Sequence, residues 1–188
     1  MTEQRKIKNM KNLIITLLLI TSSALHAQKF KSDESYIRFF SDAHLEDIEA
    51  VNSESTSIID VESRAFVFSV PITSFQFQKK LMQEHFNENY LESDKYPKAI
   101  FKGKIENWDG SKGKQTVLAK GELELHGISQ KVEIESSLDY SDENMLVESV
   151  FMIRIEDYKI KVPKAVFYKI AEEVEVTIKF NYAPYAKN

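Results

Sequence analysis

Residues 79–104 read KKLMQEHFNENYLESDKYPKAIFKGK, and the rest of the chain is arranged around them. Leu81, Met82, His85 and Phe86 fall at helical spacing and share one face. Tyr96-Pro97 stops that helix, because proline has no amide to donate and disfavours helical angles in the residue before it. From Ala99 the period becomes two. Ala99, Phe101, Gly103 and Ile105 face one way, and Lys98, Lys102, Lys104 and Glu106 mostly the other. An amphipathic helical turn feeding straight into a half-apolar strand predicts a sheet whose apolar face needs a cover.

The same alternation recurs on both sides of this stretch. Strands are expected at 35–41, 45–52, 57–62, 65–71 and 73–78 before it. After it they are expected at 98–108, 115–125, 130–140, 145–155 and 173–182. Asp109-Gly110-Ser111-Lys112-Gly113 and His126-Gly127 separate alternating runs and read as hairpin turns. One apolar and one charged face per strand, with short turns, means antiparallel pairing with one face wet. About eight such strands can curl until no edge is left exposed. The fold class expected is therefore all-β: a single antiparallel barrel with one or two short capping helices, at 79–87 and near 162–171. Such a barrel is either filled by side chains or holds one small ligand.

The beginning of the chain has a separate purpose. Arg5, Lys6, Lys8 and Lys11 precede an apolar run at 13–25, LIITLLLITSSAL, and Leu25-His26-Ala27 offers a small-residue cleavage site. Residues 1–27 read as a secretory signal peptide, with Met10 as an alternative start, and the run is too short to span a bilayer. Residues 28–188 then form one domain, exported to a periplasm or beyond. The chain has no cysteine, so an exported protein must rely on its core alone, without disulfides or thiolate metal sites. The net charge is −4 and becomes more negative once the basic leader is removed. That balance argues against nucleic acid and anionic membrane surfaces as partners. It suits a soluble monomer or weak dimer without stable membrane insertion.

Two segments carry a family resemblance. Met82-x-x-His85-Phe86 followed by Tyr96-Pro97-x-x-x-Phe101-x-Gly103 resembles the signature of the YceI-like proteins. So does Gly121-x-Leu123-x-Leu125-His126-Gly127-Ile128-Ser129-x-x-Val132. Arg154-x-x-x-Tyr158, then Ile170-Ala171-Glu172-Glu173-Val174-x-Val176-x-Ile178, is similar to that family's closing pattern. The chain departs from the pattern at Gly121–Leu125, where the family is threonine-rich, and at Asp157-Tyr158, where a phenylalanine-glycine turn is usual. The resemblance implies a lipocalin-like barrel that binds a long polyisoprenoid without catalysis. The ligand it implies is an isoprenoid quinone or a polyprenyl phosphate or pyrophosphate, tail inside and head at the mouth.

A flexible hydrocarbon tail binds through contact area, so large apolar side chains should line its path. From the first half of the chain these are Ile37, Phe39, Phe66, Phe68, Phe75 and Phe77. Leu81, Phe86, Phe101, Leu123, Ile134, Phe151 and Ile178 complete the set. A filled core and a lined tunnel share the same alternation, so both remain open at this point. Head-group candidates are His85, Arg154, Tyr158, Lys79 and His126, with Lys80 and Lys161 as further cations. Cations suit a pyrophosphate, and hydroxyl or imidazole donors suit a quinone carbonyl. The plain alternative for each lysine is a solvated strand or helix face.

No cofactor is expected, the lipid being the ligand. His44, His85 and His126 lack metal-ligand spacing, and no nucleophile-elbow or phosphate-loop motif occurs. Two competing readings make their own demands. A packed barrel that acts through its surface in envelope stress needs a filled interior and an exposed apolar patch. An enzyme on lipid-linked substrates needs Arg154, Tyr158 and His85 within hydrogen-bonding reach of one another.

Overall fold

A computed structural model of the chain describes residues 29–42, 47–161 and 172–185. The leader expected at 1–27 and the second capping helix expected near 162–171 lie outside the described residues. Among the described residues ten strands follow in chain order. They are β1 Lys29–Ser41, β2 Ile48–Asn52, β3 Thr56–Asp60, β4 Ala65–Pro71, β5 Gln76–Phe77, β6 Lys98–Glu106, β7 Gly113–Leu125, β8 Ile128–Tyr140, β9 Met145–Arg154 and β10 Glu173–Tyr185. Helix α1, Lys80–His85, runs into a π-turn at Phe86–Tyr90.

The sheet order is β10-β9-β8-β7-β6-β4-β3-β1-β2-β5, and β10 also pairs with β1. That last pairing closes eight strands into an antiparallel barrel. β2 and β3 share one position in the wall. β1 pairs with β3 over Lys29–Lys31 and with β2 over Ile37–Ser41. The corner between β2 and β3 is fixed by Asn52, which is fully buried. Its amide nitrogen donates to the Pro71 carbonyl at 2.8 Å, and its oxygen accepts from the Glu54 amide and the Ser55 hydroxyl, each at 2.9 Å.

Where the strands differ from expectation, the cause is local. The strand expected at 73–78 shrinks to β5, because the chain leaves Pro71 through a 3-10 turn at Ile72–Ser74. The Ile72 amide donates to the Pro97 carbonyl at 2.9 Å rather than to a strand neighbour. The two hairpins form as expected. Gly110 and Gly113 take φ of +83° and +96°, and the Ser111 amide donates to the Asp109 carboxylate at 2.7 Å. His126 and Gly127 form a two-residue turn with φ of +52° and +70°, the positive pair that matches strand twist.

One end of the barrel is plugged. Phe30, Trp108, Tyr140, Met145 and Tyr182 are all buried there. Phe30 and Trp108 each meet the Tyr140 ring edge-on, at 5.6 and 5.5 Å between centroids. The other end is looser. β7 and β8 pair along their whole length, as do β9 and β10 through Met145–Arg154. β8 and β9 pair only through Ser137–Tyr140 and Met145–Glu148. At the fork the Ser149 hydroxyl donates to the Glu135 carbonyl at 2.5 Å. Beyond it the two strands part, so the barrel is a well with a seam in its upper wall.

Two buried phenols tie this packing to pH. Burial pushes the Tyr158 phenol up to about 12, with the Asp157 carboxylate adding to the effect. Burial also raises Tyr182, against a smaller opposing effect of its 2.9 Å hydrogen bond to the Ser57 hydroxyl. A raised phenol favours the protonated folded state. Its contribution is complete below the unfolded value of about 10 and is lost as pH rises through the folded value. The expected result is a cooperative loss of barrel structure between about pH 10 and 12, followed by circular dichroism and tyrosinate absorbance. Tyr182→Phe should move its midpoint upward. Titration of all eight tyrosines near pH 10 with the barrel intact would contradict this account.

Candidate ligand cavity

The inward faces of the strands do not meet in the middle. They enclose a cavity of about 580 Å³, within the range of known small-molecule sites. Its floor is made by Ile59, Ile105, Leu138, Val147 and Phe180, all buried, resting on the aromatic plug below. Its walls are aromatic rings. Phe66 meets Phe101 at 4.7 Å and Phe68 meets Phe180 edge-on at 5.0 Å. Its cover is α1 and the π-turn. Neither contributes a buried residue, so the cover rests on partly buried side chains. Phe86 is the main one: its ring lies 5.4 Å from Phe39, 5.6 Å from Phe75 and 5.0 Å from Phe77.

All thirteen residues expected along an apolar path lie on this cavity. Leu81 differs from the rest, since it is 61% exposed and occupies the rim. The sequence reading put Ala99 and Ile105 on the apolar side of their strand but did not name the floor among the lining residues, nor Ile72 and Leu91, which with Ala99 form a second small core beneath the cover. Alternation marked Leu138 and Phe180 as inward-facing, but it carries no information about depth. Ala119 and Ser136 also line the wall. Small side chains there leave room that a count of large apolar residues misses.

The head-group candidates divide. Lys79 and His85 lie on the cavity, at the exposed rim beside the cover. Arg154, Tyr158 and His126 are off its wall. Arg154 is turned outward on β9, 3.2 Å from Glu156 and 3.9 Å from Glu173. Tyr158 is buried at 3% exposure. His126 acts as a clamp: Nδ1 lies 3.0 Å from the Tyr158 carbonyl and Nε2 3.0 Å from the Glu92 carboxylate. The positive φ of His126 swings its ring away from the barrel axis and onto Tyr96, 4.8 Å between centroids. The Glu92 carboxyl is held below its usual range, first by Lys95 and then by His126. Lys80 and Lys161 are exposed and do not reach the cavity. Arg154, Tyr158 and His85 make no hydrogen bond to one another among the described residues, and no cluster of metal-ligating side chains occurs among them.

A closed antiparallel barrel with a floor, an apolar bore and a helical cover defines a lipocalin-like container. The YceI-like domain matches residues 29–182, and the chain belongs to that family. Solved structures agree in fold. A polyisoprenoid-binding domain from Saccharophagus degradans superposes with a TM-score of 0.72 at 14% identity, covering 83% of this chain and 98% of that one. BcnA of Burkholderia cenocepacia gives 0.67 at 14% identity, over 78% and 95% of the two chains. The Campylobacter jejuni YceI protein gives 0.56 at 16% identity, over 78% and 85%. No curated protein matches the chain.

Proposed function

We propose that this barrel is a non-catalytic carrier or store for an isoprenoid lipid, a quinone or a polyprenyl phosphate, in the envelope of an exporting cell. The observation that carries the reading is the 580 Å³ apolar cavity. A barrel that works only through its surface has no use for an unfilled interior, and filling it would cost nothing in function. The tail enters the aromatic bore and the head stays at the rim, where Lys79 and His85 supply donors. The Saccharophagus domain, described as polyisoprenoid-binding, supports the same ligand class. The leader-like residues 1–27 support export, and a soluble domain that buries a lipid tail suits an aqueous compartment between membranes.

Native mass spectrometry of the protein purified from its own envelope, followed by organic extraction, tests this directly. The expected result is a mass excess matching an isoprenoid. Phe101→Trp should then reduce retention, because Phe101 already packs against Phe66 and Phe68 and the larger ring must enter the bore. An apo mass that takes up neither added quinone nor polyprenyl phosphate would overturn the reading.

A further inference from the structure

We propose that the cavity is a gauge of tail length, enclosing four to five isoprene units and no more. This rests on the lipid-binding reading above and sharpens it from a ligand class to a size. A benzene-sized cavity of about 150 Å³ holds six carbons, so an enclosed carbon needs about 25 Å³. The 580 Å³ available here then accommodates about 23 carbons, or four to five units of five carbons each.

The limit is firm only if the floor cannot give. Beneath Leu138 and Phe180, both 0% exposed, lie Phe30 at 0%, Trp108 at 1% and Tyr182 at 1%. Phe30 and Trp108 each meet the buried Tyr140 ring edge to face, and the Tyr182 hydroxyl donates to the Ser57 hydroxyl. Letting a tail through would mean dismantling the main core, because a close-packed interior has no spare volume to yield. Among the described residues the partings in the wall lie toward the other end, where the β8–β9 ladder stops at the Ser149 fork and where α1 covers the rim. Surplus tail must therefore leave on the same side as the head and remain in water. Units inside the well add affinity and units outside it do not.

Prenyl monophosphates of two, three, four, six and eight units, titrated into delipidated full-length mature protein, separate the outcomes. Affinity should tighten about tenfold for each unit from two to four and stay level from six to eight. A gain that continues from four to eight overturns the gauge while leaving tail binding intact. No binding at any length overturns the lipid reading itself. Ala119→Phe gives a second, independent check, since a phenyl ring takes about 150 Å³ from a wall position that now holds a methyl group. It should lower the break point by about one unit with the protein still folded. An unchanged break point in a folded Ala119→Phe protein overturns the proposal, and failure of that variant to fold leaves the wild-type series to decide it.

Discussion

Alanine at Gly103 or at Gly121 will destabilise the barrel by about 3 kcal/mol, far beyond what one methyl group would suggest. The two glycines face each other in the β6–β7 register. A Cβ on Gly103 would overlap the Lys120 carbonyl oxygen and come within 2.7 Å of the Gly121 Cα. A Cβ on Gly121 would overlap the Lys102 carbonyl oxygen and come within 2.9 Å of the Gly103 Cα. These obstacles are backbone atoms, so no rotamer change relieves them. Glycine is used where a strand must bend hard at a barrel corner or where two backbones approach closely.

The consequence reaches the cavity. The same register sets Phe101 opposite Leu123 and Ile105 opposite Ala119, all four lining the cavity. A one-residue slip to escape the clash would turn this set toward solvent. Urea unfolding of the two variants measures the cost. Gly110→Ala is the comparison, because nothing lies within 4 Å of its Cβ position and only its φ of +83° is strained. That variant should lose about 1 kcal/mol. A Gly103→Ala protein within about 0.5 kcal/mol of wild type would mean that the strands can separate freely there.

How much of this was readable in advance depends on which residues are asked about. Strand period is a local property, so the inward positions from Ile37 to Ile178 follow from alternation alone, and they do line the cavity. Gly103 and Gly121 stood out in the two quoted segments, but nothing local says that they face each other. That is a matter of register between strands. Arg154 and His126 show the opposite failure. Each was a head-group candidate for its chemistry alone, a cation for a phosphate and an imidazole for a quinone carbonyl. Their partners come from elsewhere in the fold: Glu173 on β10 for Arg154, and Glu92 and Tyr158 for His126. The seam leaves no trace in sequence at all. β8 and β9 keep their alternation past Ser149, while the ladder between them stops at Ser137 and Glu148. Cavity against core was likewise a question of volume, and volume is set by how strands curl, not by which residues face inward.

Phe86→Ala will release the cover and leave the barrel standing. α1 and the π-turn have no buried residue of their own, and Leu81 on the helix is 61% exposed. Their main hold on the barrel is the Phe86 ring within the group of Phe39, Phe75 and Phe77, with the Phe77 amide also donating to Gln83 Oε1 at 3.4 Å. Three aromatic contacts at about 1 kcal/mol each come to about 3 kcal/mol of local stability. This group is the rim of the main core: Phe75 belongs to that core, and Phe39, Phe77 and Phe86 pack against it from the open end. The core itself runs through Phe30, Leu138 and Phe180 at the closed end. The far side of the cover is held separately, by the buried Leu91, whose amide donates to the Phe86 carbonyl at 2.9 Å. The segment should therefore hinge at Leu91. Hydrogen exchange across residues 79–91 should accelerate by about two orders of magnitude, while β6–β8 keep their protection. With a prenyl phosphate bound, dissociation should quicken by a similar factor, because the tail then leaves an uncovered well. Uniform loss of protection across the whole barrel would show that the cover is part of the global folding unit. Unchanged exchange and unchanged dissociation would show that Phe86 is not what holds it.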